Sequence, residues 1–419
     1  MTKRFAEENF PEDIQRKADQ MNLEESAIPP YTVPEPESVS GMDFLQKERP
    51  SLLKKFAENI YGEIPPRCRE LEFHTVTEDP AAFGGLATRR EIKIRCAQNG
   101  VERFLDLLLY IPNHRTGKVP VFFGMNFLGN HAGTTDPGVR YTIKKRYPAL
   151  DNSLRRCDRR AAEDQRGLEA DRWCHEKVLS RGYAAATLCY FDAYPDHPHG
   201  FNDSILPLFF DEKTFLSGDR PCGVISAWAW GYLRAVDCLE AQDEINSSRI
   251  AVHGHSRLGK TALWAGANDP RIALTVSCCS GCLGAKLSHR YMGEDFSWID
   301  QWNPYWTVPA FKKYAGHDSD IPVEQNQLLG CIAPRLAYIM SASKDAFADP
   351  KGEFLCAKAA SKFYHLFGSA GIGTGEMPPP DTPLAGDIGY FCRTGDHNFY
   401  PEGWAALLDF TDKHWKYNR

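Results

Sequence analysis

Apolar positions along this chain switch repeatedly between a helical and a strand spacing. A helical pattern runs over residues 42–62, and residues 88–96 and 103–112 then alternate as strands. Residues 119–129 read as a buried strand entering a Gly- and Asn-rich loop, and after a charged loop at 153–167 a helix is predicted over 169–182. Further along, strands are predicted at 183–191, 248–254, 272–281, 335–343 and 388–395, with helices at 223–242, 258–268 and 404–415. Strands alternating with helices predict an α/β fold, with a mostly parallel central sheet flanked by helices on both faces. Residues 1–41, charged and Pro-rich, read as an N-terminal arm, and 42–419 as one domain. Gly368 to Gly389 reads as a long surface loop.

Composition narrows the function classes. The 419 residues, 42% hydrophobic, are ample for one large core. A net charge of -6 offers no basic surface for nucleic acid or an anionic membrane, so neither is expected as a partner. The N-terminus lacks the apolar run of a secretory signal, so a cytoplasmic protein is expected, or an exported one whose signal has been trimmed. Thirteen cysteines, scattered through apolar segments, read as buried free thiols and not as a disulfide framework. Cys278, Cys279 and Cys282 are the densest group, but no second ligand pair follows at zinc-site spacing, so no metal and no cofactor are expected.

The chemistry concentrates in residues 249–261, where two readings compete. In the first, a buried strand delivers Ser256 onto a tight turn before a helix, a nucleophile elbow whose first helical amides face a developing oxyanion. Gly254 lets the turn close against the neighbouring strand, although Leu258 stands where a second glycine is usual and Gly259 comes one position later. In the second, Gly254, Gly259, Lys260 and Thr261 match a phosphate-binding P-loop at every required position, which would make the chain an NTPase. The downstream sequence decides. A serine hydrolase needs an acid after a later strand and a histidine after the last one, and Asp345 and His397 stand there, at the strand ends where ligands of open α/β sheets gather. The fold expected is therefore the α/β-hydrolase, with Ser256 as nucleophile and His397 as base. For the acid, Asp345 competes with Asp349, which precedes Pro350 and is suited to cap the helix that follows.

The runs Gly254–Lys260, Ser280–Gly284, Ala348–Phe354 and Thr394–His397 resemble the bacterial branch of the glucuronoyl esterases, from about Met42 to the C-terminus. That resemblance implies hydrolysis, without a metal, of esters joining 4-O-methyl-glucuronic acid on xylan to alcohols of lignin, with glucuronoxylan fragments as partners. It implies that Arg257 lends its N–H and guanidinium to the oxyanion, that Lys260 bonds sugar hydroxyls, and that Glu294 holds the uronate ring. A lysine in the first turn of a helix opposes the dipole, which independently suggests a functional reason for Lys260. Some relatives carry the triad acid as a Glu where this chain has Cys279, which passes the role to Asp345, and their sugar-stacking Trp is here Phe347. Other esterase chemistry on the same fold, such as sugar deacetylation, and an inactive hydrolase kept as a binding module are the alternatives. His253, His255, Trp228 and Trp230 are expected to pack, Asp396 to orient its loop, and 126–131 to form the other wall of the oxyanion pocket.

Overall fold

The computed structural model describes residues 21–141, 165–216 and 220–415. Most of the charged loop expected at 153–167, and the first half of the N-terminal arm, lie outside those residues. Among the described residues, ten strands form one sheet: β1 (Glu70–Ala81), β2 (Ala87–Gln98), β3 (Val101–Pro112), β4 (Val119–Asn126), β5 (Ala184–Cys189), β6 (Ile245–His255), β7 (Ile272–Cys278), β8 (Leu336–Ala342), β9 (Leu384–Ala385) and β10 (Ile388–Arg393). Their order is β1-β2-β3-β5-β4-β6-β7-β8-β10-β9. The run β5-β4-β6-β7-β8-β10 is parallel throughout, so the C-terminal ends of these strands share one edge of the sheet. Both outer parts are antiparallel.

Alternation along the central strands splits their side chains between two cores. Phe123, Ile250 and Val252 face a large cluster with Trp228, Trp264 and Phe354, carried by helices α1 (Val224–Glu240), α2 (Arg257–Asn268) and α3 (Pro350–His365). Phe122, Ala251 and Val276 face the opposite side, against Trp404, Leu407 and Leu408 of α4 (Pro401–Trp415). Trp228 and Trp230 are fully buried, and their indole N–H groups donate to the carbonyls of Tyr194 and Pro66. Both faces of the sheet are thereby covered, as the strand–helix alternation predicts.

Three local departures have physical causes. The helix expected over 169–182 is two short turns, Ala170–Trp173 and His175–Ser180, because Cys174 between them takes a left-handed conformation at φ +47°. Strand β1 has no counterpart in the sequence reading: it lies at the sheet edge with no residue fully buried, so its apolar spacing carries no one-sided pattern. The loop expected over 368–389 contains β9, which pairs with β10. By contrast β2 and β3 close through Asn99-Gly100, both at positive φ, the chemistry of a two-residue hairpin. Among the described residues, no helix is long and apolar enough to cross a membrane.

Candidate active site

Strand β6 ends at His255 and α2 begins at Arg257, so the turn between them is the single residue Ser256. Its backbone sits at φ +59°, ψ −128°, a region that L-residues occupy only when the surroundings enforce it, at a cost of about 1–3 kcal/mol. The Ser256 N–H donates to the carbonyl of Cys278 at 2.9 Å, and the Ser256 carbonyl accepts from Gly259 at 2.8 Å, which pins both sides of the turn. The reason for Gly254 differs from the one expected. A Cβ there would lie 2.0 Å from the Leu258 carbonyl oxygen, in the first turn of α2. Gly259 is the residue that approaches the neighbouring strand, where a Cβ would stand 3.1 Å from Ser277 Oγ.

A one-residue turn overturns the P-loop alternative. Wrapping a phosphate takes several successive backbone amides in an open loop, and Lys260, which would reach that phosphate, is turned inward. Its buried ammonium donates to the carbonyls of Ser280 (2.5 Å) and Cys282 (2.6 Å), with Glu294 Oε2 at 3.7 Å. Lys260 thus ties α2 to the loop after β7, in addition to facing Glu294. Lys260→Ala should leave those carbonyls without donors, destabilise the fold by about 3 kcal/mol, and depress turnover of sugar and acetate esters alike. Unchanged stability with a loss confined to the sugar ester would return Lys260 to a purely sugar-binding role.

The downstream residues converge on the same sheet edge. The chain leaves β8 at Ala342 and turns through Asp345, whose N–H donates to the Ala342 carbonyl at 3.0 Å. It leaves β10 at Arg393 and reaches His397, whose Nδ1 stands 2.5 Å from Asp345 Oδ2. Asp345 is buried and the His397 ring is mostly so. Asp349 is committed elsewhere. Its Oδ1 accepts from Gly352 N–H at 2.9 Å as the N-cap of α3, and its Oδ2 accepts from Arg290 Nε at 2.8 Å. The structure therefore brings Asp345, and not Asp349, to the histidine. The Asp396 carbonyl accepts from the Arg393 guanidinium, inside its loop.

Arg257 is directed by a residue that sequence reasoning missed. One of its terminal nitrogens donates to Asp196 Oδ2, and the guanidinium lies over the Trp306 ring at 4.7 Å. Asp196 is almost wholly buried and also accepts from Tyr305 OH (3.0 Å), Trp306 Nε1 (2.8 Å) and Tyr190 OH (3.2 Å). The Arg257 guanidinium is therefore held by a buried carboxylate, while its own buried Nε has no partner among the described residues. Asp196 stands alone in an irregular loop, where no periodicity marks it. A second missed residue is Glu353, inside the run 348–354. Fully buried, it accepts from the N–H groups of Ser280 (2.8 Å) and Gly281 (3.1 Å) and from Ser341 Oγ (2.6 Å). Burial, with Asp345 adding to it, pushes its carboxyl up to about 8.

Glu294 and Phe347 lie side by side: the Glu294 N–H donates to the Phe347 carbonyl at 2.9 Å. A Cβ on Gly293 would meet that carbonyl oxygen at 2.4 Å, so the two loops touch backbone to backbone. Residues from the arm continue this wall, with the Gly293 N–H donating to Asn22 O and Asn22 Nδ2 to Tyr291 O. The loop after β4 is held by its own side chains: Asn126 Nδ2 donates to Asn130 Oδ1 (2.8 Å) and its Oδ1 accepts from Gly129 N–H (2.7 Å). Phe127 there packs 6.3 Å from the His255 ring, which is itself 4.5 Å from that of His397. His253 is enclosed by Trp173, Phe399 and Trp404, and burial pushes its imidazole down to about 3.

Comparison with known proteins sets this geometry in a family. The family model described as "Glucuronyl esterase, fungi" matches residues 212–368. The carbohydrate esterase MZ0003, from an unknown prokaryotic organism, is 35% identical over 414 residues, covering 96% of this chain and 94% of that protein. A glucuronoyl esterase from Solibacter usitatus superposes with a TM-score of 0.86 at 35% identity, over 94% of this chain and 100% of that one. A structure titled as a promiscuous CE15 esterase from the marine bacterial metagenome does so at 0.84 and 34%, again over 94% and 100%. With its parallel sheet, its one-residue elbow and near full-length similarity to these enzymes, the chain belongs to the bacterial branch of the glucuronoyl esterases, carboxylic ester hydrolases on the α/β-hydrolase fold.

Proposed function

We propose that this enzyme hydrolyses esters of glucuronic or 4-O-methyl-glucuronic acid, of the kind that joins glucuronoxylan to lignin alcohols, through an acyl-enzyme on Ser256. The observation that carries the reading is the Asp345–His397 contact at the sheet edge that also presents Ser256 at positive φ. With Nδ1 engaged by Asp345, the other ring nitrogen of His397 is the one that takes the Ser256 proton as the hydroxyl attacks the ester carbonyl. The oxyanion forms at the start of α2, where the Arg257 N–H has no acceptor within the helix. The free Nε of Arg257 reinforces it, and each such donor is worth about 3–4 kcal/mol in the transition state. The alcohol departs with the proton from His397, and water releases the uronic acid by the same route. Phe347 and Glu294 grip the sugar as one wall, and the Glu294 carboxylate, with the Lys260 ammonium behind it, sets the position of its hydroxyls.

The test is release of acid from benzyl glucuronate, measured beside p-nitrophenyl acetate. A kcat/KM for the glucuronate at least a hundredfold above that for the acetate supports the assignment. A second reading, a broader carboxylesterase, is favoured by Phe347, whose ring offers no N–H to a sugar. Preference for the acetate would establish that reading instead.

A further inference from the structure

The two adjacent thiols at the end of β7 take no part in that mechanism, yet they sit within it. Cys279 Sγ, a carboxylate oxygen of Asp345 and a ring nitrogen of His397 all lie within 4.8 Å of one another. His255, Cys278 and Cys279 form a second group with the same closeness. Cys279 belongs to both, its Sγ stands 3.8 Å from that of Cys278, and the rings of His255 and His397 are 4.5 Å apart. Neighbours along a strand point to opposite faces. These two cysteines approach the same histidine because the chain leaves β7 at Cys278 and turns at Cys279, φ +48°. The other members of the two groups, His255, Asp345 and His397, come from the ends of other strands, so no spacing along the chain marks them together.

We propose that this cluster is an inhibitory site for a thiophilic divalent cation, with Zn²⁺ the best fit. Cys279, Asp345 and His397 supply three ligands, and Cys278, whose Sγ lies 3.8 Å from that of Cys279, the fourth. Tetrahedral zinc with bonds of about 2.0–2.3 Å sets its ligand atoms roughly 3.3–3.8 Å apart, so the cluster closes on the ion by small side-chain movements. The Nδ1–Asp345 contact opens as the ion enters between them. Two thiolates and imidazole select zinc or cadmium over magnesium, which takes oxygen ligands and keeps its waters. On binding, Cys278 and Cys279 lose their thiol protons to solvent, and the His397 ring proton moves from Nδ1 to the other nitrogen. That nitrogen then donates and cannot accept the Ser256 proton. This loss of activity rests on His397 being the base, whereas binding of the ion does not.

The full-length enzyme, stripped with a chelator, is titrated with Cd²⁺ while the thiolate-to-metal absorption is followed. In parallel, esterase activity is measured against Zn²⁺, with Mg²⁺ as control. The absorption is expected to saturate at one equivalent. Micromolar Zn²⁺ should lower activity more than tenfold, chelation should restore it, and Mg²⁺ should do nothing. Cys279→Ser should remove the absorption and raise the inhibitory Zn²⁺ concentration at least tenfold, whereas Cys174→Ser, at the partly exposed cysteine, should change neither. If Cys279→Ser does not fold, Cys278→Ser is read by the same absorption and should weaken it. Absence of the band in the parent enzyme, or undiminished inhibition of folded Cys279→Ser, overturns the proposal. Saturation without loss of activity supports the metal site and counts against His397 as the base.

Discussion

Ser256→Ala is expected to lower kcat by about a millionfold, the loss found when a triad nucleophile is removed, and to leave the fold intact. The backbone bonds that pin the elbow, Ser256 N–H to Cys278 O and Gly259 N–H to Ser256 O, do not involve the side chain. Alanine carries the same Cβ at φ +59°, so the strain of the turn is unchanged and stability should hold within about 0.5 kcal/mol. Ser256→Gly separates strain from chemistry. Glycine relieves a conformation costing about 1–3 kcal/mol and adds about 0.5–1 kcal/mol of chain entropy, so this variant should be equally inactive and no less stable. Activity of either variant above about 1% of the parent, in a preparation free of parent enzyme, would place the nucleophile elsewhere. A drop in stability of Ser256→Ala comparable to that of Lys260→Ala would mean that the hydroxyl supports the turn.

The elbow and the two strand-end residues were legible because each follows a buried apolar run. A strand such as 248–254 announces its own end, and in a parallel sheet all such ends gather on one edge. Asp349 could be set apart from Asp345 on local grounds, since a residue before Pro350 at a helix start has a capping role that pure geometry rewards. What the sequence withheld are partners from distant segments. Asp196, 61 residues from Arg257, and Glu353, 73 residues from Ser280, hold the site through side-chain acceptors. Such pairs leave no periodic trace in either segment. Lys260 shows the opposite limit: a cation at a helix start is locally unfavourable, and local reasoning points it at a ligand. The structure shows two backbone carbonyls that satisfy it first. Cys279 was visible as a substitution for an acid, yet its closeness to Asp345 and His397 needs the fold.

Asp345→Asn is expected to cost about 10⁴ in kcat, as the loss of a triad carboxylate does when the geometry is kept. Asp345 Oδ2 stands 2.5 Å from His397 Nδ1, and in the proposed mechanism its carboxylate fixes the ring proton on that nitrogen and stabilises the imidazolium formed during attack. An asparagine amide can donate to Nδ1, which would hold the wrong tautomer, and it supplies no charge. Asp349→Asn is the matched control four residues away. It keeps an oxygen for the N-cap, where Asn serves as well as Asp, but breaks the buried Arg290 pair, for about 3 kcal/mol of stability, with kcat nearly unchanged. The reverse pattern, activity lost with Asp349 and kept without Asp345, would move the triad acid. A further arm uses the family resemblance, in which some relatives carry the acid as a Glu at the position of Cys279. Because Cys279 Sγ already lies within 4.8 Å of the Asp345 and His397 ligand atoms, a carboxylate installed there reaches the ring from a second direction. Cys279→Glu in the Asp345→Asn background should therefore recover at least tenfold of the lost kcat. Recovery would show that what the histidine requires is a buried negative charge within reach, whichever strand end supplies it. A folded double variant with no recovery would show that the approach along β8, and not the charge alone, makes Asp345 effective.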